Sequence, residues 1–473
     1  MTGEIPVFLS GSFFSAAPSE KKGECSMNET NAPALTRGNI LRALVTFALP
    51  VLLALFLQAM YGAADLIIVG RFAGTAEQSG VASGSQLFNL ITMVVTGLTM
   101  GVTVLVGNAV GAGEKTLAGR AVGCGIALFG VVALVITALV VPFAGQLAAG
   151  MHAPAQAFAQ TTAYLRICGL GTVFITAYNV IGAIFRGLGD SRTPLFTVAI
   201  ACCVNIAGDL VLVAGFGLGA AGAAIATVLA QAVSVVVSLY FIRRRGLPFA
   251  FSLRTIRLER WCLGRILRVG LPIALQELLV QFSFLFIQVV VNGMGVDASA
   301  AVGVAEKVCA FLMLVASAYM QAISAFVAQN NGAGRPDRSR QALFYGIRTA
   351  FVAGAAMGAL ALFGGAQLAG IFTADAAVIA EAHAYLKAYA VDCLLTAVLF
   401  CFVGYFNGCG RTVFVMVQGI VGAFCVRIPV VFLMSRIPGV GLFQIGLGTP
   451  ISSAVQILLC LGAYRWYRRR AVQ

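Results

Sequence analysis

Ionisable and amide side chains set inside long apolar runs are where this sequence could do chemistry, because each is costly to keep away from water. Asp65 falls on one helical face with Tyr61, four residues before it, and Gln58, three before that. Asn205 and Asp209 stand at i and i+4 in a later run, and Thr227 lies in the run after that. Counting inward from the nearest loops puts Asp65, Asn205, Asp209 and Thr227 at similar depth. Four oxygen-bearing side chains at one depth suit a Na⁺ ion or a shared proton. Separate hydrogen bonds between helices would use the same residue types, and spacing alone leaves both readings open.

The second half offers a different set. Asp392, Lys387 and Arg427 lie at comparable depth, and a neutralising ion pair is a cheaper use of them than a substrate site. Glu306 and Lys307 read as an interfacial pair. Glu277, five residues after Pro272, pairs with nothing obvious and is expected to line a cavity. Glu277, Asp392, Lys387 and Arg427 are thus the candidate cavity residues of this half.

Other chemistries find no support. The twelve cysteines form no CxxC or Cys/His cluster, so neither disulfides nor a metal centre is expected, and no cofactor. Gly111-Ala112-Gly113-Glu114-Lys115-Thr116 only superficially resembles a phosphate loop, since it sits in a turn between apolar runs rather than after a strand. Gly217-x-Gly219-x-x-Gly222 fits a dinucleotide pattern but falls at a helical turn. No HExxH, histidine cluster or nucleophile with paired carboxylates is present, so the chain reads as a non-enzyme. Without a nucleotide site, any transport is passive or driven by an ion gradient.

The elements that must position these residues follow from composition. Of 473 residues, 60% are hydrophobic and only 10% charged, with a mean hydropathy of +0.95. Soluble proteins carry about 25% charged residues, so an integral membrane protein is the expectation. Twelve apolar runs are long enough to span a bilayer: roughly 41–69, 81–108, 119–144, 160–184, 194–215, 219–242, 265–292, 298–329, 340–368, 382–406, 412–434 and 443–466. No alternating ten-residue strands suggest a barrel. The net charge of +14 would point to nucleic acid in a soluble chain. Here lysine and arginine crowd one set of loops and both chain ends, against Arg71 and Arg436 on the other side, which is a topology signal. Both termini are expected in the cytoplasm, with the protein in the inner membrane and no nucleic-acid partner.

The chain also repeats itself. Tyr164-Leu165 recurs as Tyr385-Leu386, Gly111-Ala112-Gly113 as Gly332-Ala333-Gly334, and Phe185-x-Gly187-x-Gly189 as Phe406-x-Gly408-x-Gly410, all at an offset of 221. Pro50 and Pro272 match at 222, and Arg243-Arg244-Arg245 matches Arg468-Arg469-Arg470 at 225. Six spans per half is an even number, so the halves point the same way, about an axis along the membrane normal. The expected fold is all-α: a polytopic membrane protein of twelve transmembrane helices in two parallel six-helix repeats. Its expected parts are a polar, disordered tail (1–36), an N-terminal lobe (37–242), a basic linker (243–264), a C-terminal lobe (265–467) and a basic tail (468–473). Met27 reads as well as Met1 for the start of the chain.

Several segments together resemble the MATE (multidrug and toxic compound extrusion) family. They are Thr36-Arg37-Gly38-Asn39-Ile40-Leu41-Arg42-Ala43-Leu44, Leu49-Pro50 with Asp65, and Gly107-Asn108-Ala109-Val110-Gly111-Ala112-Gly113. So do Phe185-Arg186-Gly187-Leu188-Gly189-Asp190-Ser191-Arg192-Thr193-Pro194, Asn205-x-x-x-Asp209 and Gly222-Ala223-Ala224-Ile225-Ala226-Thr227. The resemblance covers residues 36–470. It implies two six-helix lobes around a V-shaped cavity, and export of small organic substrates by antiport with Na⁺ or H⁺ through alternating access. It also implies that Asp65, Asn205, Asp209 and Thr227 form a cation site, with Tyr61 and Gln58 beside it. Two departures stand out. Leu210 follows Asp209 where the family often has Pro, and Glu277 and Asp392 occupy helices where some members carry a second carboxylate pair, but at different depths. An acidic site among aromatic and methionine residues suits lipophilic organic cations, handled by a monomer in the lipid bilayer. The rival is a flippase for lipid-linked saccharides, whose anionic cargo would want Lys387 and Arg427 unpaired.

Overall fold

In a bilayer core, backbone N–H and C=O groups must be satisfied within the chain, which leaves long helices as the economical solution for runs this apolar. The computed structural model describes residues 34–249 and 251–470. The expected disordered tail up to residue 33, the choice between Met1 and Met27, and residues 471–473 lie outside the described residues.

Sixteen helices are labelled in chain order. The first half holds α1 (Ile40–Phe72), α2 (Thr75–Gly111), α3 (Lys115–Gly150), α4 (Phe158–Leu170), α5 (Thr172–Leu188), α6 (Arg192–Asp209) and α7 (Gly219–Arg245). The second holds α8 (Arg260–Asn292), α9 (Val296–Leu312), α10 (Leu314–Gly332), α11 (Pro336–Gly370), α12 (Ala376–Gly408), α13 (Thr412–Ile420), α14 (Ile428–Ser435), α15 (Leu442–Gly446) and α16 (Gly448–Arg470). Eleven of the resulting segments are long and apolar enough to cross a membrane alone. The pair α4 and α5, bent by 54° at Gly171, makes the twelfth. Arg468, Arg469 and Arg470 continue α16.

Two crossings contain a π-helical turn, one in each half: Leu210–Gly215 after α6, and Val421–Arg427 between α13 and α14. Leu210, at the position where the MATE resemblance favours proline, begins the first. A residue with its N–H keeps the helix continuous, and the widened turn re-aims the side chains beside it.

The repeat seen in the sequence recurs in pairs of equivalent contacts. A side chain on Gly187 would strike the Thr103 carbonyl and Val106; one on Gly408 would strike the Ser324 carbonyl and Val327, each 221 residues on. Between the halves, α2 crosses α10 backbone to backbone. Gly111 lies against the Gln329 carbonyl, and Gly332 against the Asn108 carbonyl. No residue but glycine fits at either crossing. Further along α2, Gly101 lies against the Ile266 carbonyl of α8.

Polar contacts reinforce this end of the seam. Gln329 Nε2 donates to the Gly187 carbonyl at 2.8 Å. The segment before α1 is held to the second half by its own carbonyls. Asn330 Nδ2 reaches Leu35 at 3.1 Å, Arg335 reaches Thr36 at 2.9 Å, and Arg338 reaches Gly38 and Arg37 at 3.1 and 3.2 Å. The segment between α7 and α8 is tied to α3 by an ion pair from Arg120 to Glu259 at 2.5 Å.

Gly111→Val or Gly332→Val should therefore lower the thermal unfolding temperature of the detergent-solubilised protein, because rigid backbone blocks relief of an overpacking cost of about 1–3 kcal/mol. Gly264→Ala, where a Cβ meets nothing within 4 Å, should leave it unchanged or raise it. Equal behaviour of the three variants would show that the crossing tolerates a side chain.

Candidate functional site

The first-half cluster is assembled by close helix approach. Gly208 on α6 faces Ala226 on α7, where a Cβ on the glycine would sit 3.0 Å from the alanine methyl. That proximity brings Asn205 and Asp209 alongside Thr227. The start of α7 is pinned in turn by Glu77 of α2, whose Oε2 accepts from Ala220 N at 2.6 Å while Gln160 donates to its Oε1 at 3.3 Å. A carboxylate at a helix N-terminus is well placed against the helix dipole.

Asp65, Asn205 and Asp209 are buried, with exposures of 5%, 0% and 0%, and Thr227 is half-buried. Thr227 Oγ1 donates to Asp65 Oδ2 at 3.1 Å and accepts from Asn205 Nδ2 at 3.4 Å. Asp209 adjoins the Asp65 carboxylate. Four buried oxygens nonetheless have no hydrogen-bond partner: Asp65 Oδ1, Asn205 Oδ1 and both oxygens of Asp209. No lysine, arginine or histidine pairs with either carboxylate among the described residues. Buried polar atoms are almost always satisfied, and two carboxylates without a counter-charge are the costliest kind of exception. A hard cation held by oxygens, or a proton between the carboxylates, would satisfy the set; the donor types fit either.

Beside this cluster, Tyr61 Oη accepts from Gln231 Nε2 at 3.1 Å, and Gln58 adjoins Tyr61. Gln231 was not singled out in the sequence, and its Oε1 is also buried without a partner. It falls one helical turn after Thr227 on the same face of α7, and that spacing in an apolar helix is the signal that could have found it.

The second-half candidates are arranged otherwise than expected. Asp392 Oδ1 accepts from Ser453 Oγ at 2.6 Å, and Arg427 donates to Ser283 Oγ at 2.9 Å while its guanidinium stacks 4.4 Å from the Phe284 ring centroid. The expected ion pair is not formed: both are buried, and each is served by a serine of another helix. Lys387 is exposed. Five residues from Asp392 on α12, it points off a different face, since only i+3 and i+4 neighbours meet on a helix. Glu306 and Lys307 do not pair either. Adjacent helical residues diverge, and Lys307 Nζ lies 5.8 Å from the Phe372 ring while Glu306 Oε1 is buried without a partner. Glu277 is half-buried on α8 and makes no hydrogen bond or ion pair among the described residues.

Comparison with known proteins agrees with this architecture. A sequence model of the MatE family matches residues 50–211 and again 272–433, two equal stretches 222 residues apart. The chain is 28% identical over 454 residues to the probable multidrug resistance protein YoeA of Bacillus subtilis, covering 93% of this chain and 97% of that one. It is 24% identical over 419 residues to the multidrug export protein MepA of Staphylococcus aureus, covering 85% and 88%. Among solved structures, the outward-facing conformation of a multidrug resistance MATE family transporter of the MOP superfamily superposes with a TM-score of 0.85 at 23% identity, covering 95% and 98%.

Thr227 holds two of the cluster's few internal hydrogen bonds, so Thr227→Val should destabilise the protein by about 1–3 kcal/mol. Thr227→Ser should restore most of that. Thermal unfolding of the three proteins at fixed Na⁺ and pH checks this; valine matching wild type would mean the hydroxyl is dispensable.

Proposed function

The chain belongs to the MatE family, and from that premise we propose that it is a secondary active multidrug efflux transporter. Family members are transporters rather than enzymes. In our reading it exports lipophilic, cationic organic compounds in exchange for Na⁺ or H⁺, entering from the opposite side. The observation that carries the reading is the set of four unsatisfied oxygens on Asp65, Asn205 and Asp209, buried with no protein cation to balance them. Relatives named for multidrug resistance and multidrug export support the cargo class.

The proposed cycle uses the cluster as a charge exchanger. With the site open to the outside, Asp65 and Asp209 take up the incoming cation, Asn205 and Thr227 adding neutral oxygens if it is Na⁺. Neutralising the carboxylates weakens the hold on a cationic substrate, which leaves. The cation-loaded protein then opens to the cytoplasm by separation of the α2–α10 crossing, and releases the ion. Each elementary charge moved supplies about 2.3 kcal/mol per 100 mV. A one-for-one exchange with a monovalent cationic substrate moves no net charge and draws on the chemical ion gradient alone. Each further cation admitted per substrate adds a factor of roughly 40 per 100 mV, at about 1.4 kcal/mol per tenfold.

The flippase reading wants several free cations lining one cavity. Of the two it would use, Arg427 is already hydrogen-bonded to Ser283 and Lys387 is exposed on another face, so the efflux reading is preferred.

Ethidium movement across everted membrane vesicles, driven separately by a pH gradient and by a Na⁺ gradient, tests the proposal. One gradient should drive uptake, and Asp65→Asn or Asp209→Asn should cut the coupled rate roughly tenfold or more, while Lys387→Ala stays near wild type. Coupled uptake surviving in Asp65→Asn would remove that carboxylate from the cycle. Loss in Lys387→Ala with Asp209→Asn intact would favour anionic cargo.

A further inference from the structure

Far from the carboxylate cluster, a cleft of about 440 Å³ opens beside the start of α1 and the turn before α6. Arg37, Arg42 and Arg192 line it, with Asn39, Asp190 and Ser191. All three arginines are exposed, and none of their guanidinium groups makes an ion pair among the described residues. Several arginines elsewhere are engaged within the protein: Arg335 and Arg338 on backbone carbonyls, Arg120 on a carboxylate, Arg427 on a hydroxyl. Asp190, the only carboxylate lining the cleft among the described residues, is already hydrogen-bonded. Its Oδ1 accepts from the N–H groups of Arg192 and Thr193 at 2.9 and 3.0 Å, and its Oδ2 from Thr193 Oγ1 at 2.5 Å. Among the described residues the cleft therefore holds three cationic forks against one carboxylate, whose oxygens are turned to the start of α6.

Guanidinium groups bind phosphate oxygens in bidentate pairs. We propose that this cleft binds a phosphate group, and that its bearer is the headgroup of an anionic phospholipid. The surroundings favour a lipid over free phosphate. Leu41, Val45 and Leu49, one turn apart on α1, and Phe196 and Ile200, one turn apart on the neighbouring α6, are exposed apolar side chains that begin at the level of the cleft and continue along both helices. A charged end joined to two apolar tracks matches an amphipathic ligand; inorganic phosphate has no use for the tracks. The positive-inside pattern places this end at the leaflet richest in anionic headgroups.

The site also bridges the two halves. Leu35, Arg37 and Gly38, at its edge, are held through their carbonyls by Asn330 and Arg338 of the second half, whereas Arg192 begins α6 of the first. A phosphate shared by Arg37 and Arg192 fastens one half to the other at the end where α2 and α10 cross, and so favours the state in which that crossing is closed.

The test uses the full chain in detergent, titrated with dioleoyl phosphatidylglycerol, dioleoyl phosphatidylcholine or inorganic phosphate, and read by native mass spectrometry and thermal unfolding. Phosphatidylglycerol should be retained in one copy with a preference of about tenfold or more over phosphatidylcholine. Arg42→Gln/Arg192→Gln should abolish that preference, and Arg257→Gln/Arg260→Gln, exposed arginines elsewhere, should keep it. Matched unfolding temperatures without lipid establish that the cleft variant is folded; if it is not, Arg42→Lys/Arg192→Lys, which keeps the charge but not the fork, should lower the preference instead. Inorganic phosphate raising the unfolding temperature through the same arginines, with no effect of phosphatidylglycerol, would overturn the lipid as bearer. Equal phosphatidylglycerol binding by wild type and the cleft variants would overturn the site itself.

Discussion

A carboxylate inside a bilayer must find a cation, a proton or water, and the first half of this chain is organised around two that find no cationic side chain among the described residues. Bringing Asp65 and Asp209 together takes contact between helices that are neighbours in space and distant in sequence. That contact depends on small residues such as Gly208 and Ala226, and on Glu77 fixing the start of α7. Each of these features would be an odd expense in a structure that only needed to pack. Together they hold two carboxylates side by side with most of their lone pairs unspent.

The fold was largely legible in the sequence because the bilayer imposes so simple a rule. Twelve apolar runs became twelve crossings, and the offset of 221 became pairs of equivalent contacts such as Gly187 with Thr103 and Gly408 with Ser324. Helical spacing also grouped Gln58, Tyr61 and Asp65, since that argument needs only one helix. It failed where three or more helices decide the outcome. Similar depth put Lys387, Asp392 and Arg427 together, but depth says nothing about direction, and Lys387 faces away. Nor could depth reveal that Arg427 and Asp392 would each take a serine partner, Ser283 and Ser453, in place of one another. Gln231 was missed for the opposite reason: its spacing from Thr227 was visible, but a neutral side chain drew no attention. The π-helical turns left no local mark beyond a leucine in place of proline.

The halves share a scaffold and divide its chemistry. At an offset of 221, Asn205 and Asp209 correspond to Val426 and Val430, and the neighbouring charge in the second half is Arg427. Where the first half keeps the oxygens of Asp65 and Asp209 open, the second gives Asp392 and Arg427 a serine hydroxyl each. Two halves built on one repeat can carry unequal polar groups in this way. One keeps the buried carboxylates of Asp65 and Asp209, while the other supplies the arginines that hold the segment before α1.

The crossing of α2 and α10 carries a historical consequence. Gly111 meets the carbonyl of Gln329, and Gly332 meets the carbonyl of Asn108, the residue equivalent to Gln329. Residue i touching j′ while i′ touches j is the signature of an isologous interface, the kind two identical subunits form about a two-fold axis. A six-helix ancestor bearing that glycine and that carbonyl already carried both surfaces needed to pair with itself. Fusing two copies end to end would have created no new interface, and it left the two sequences free to diverge, as at Asp209 and Val430.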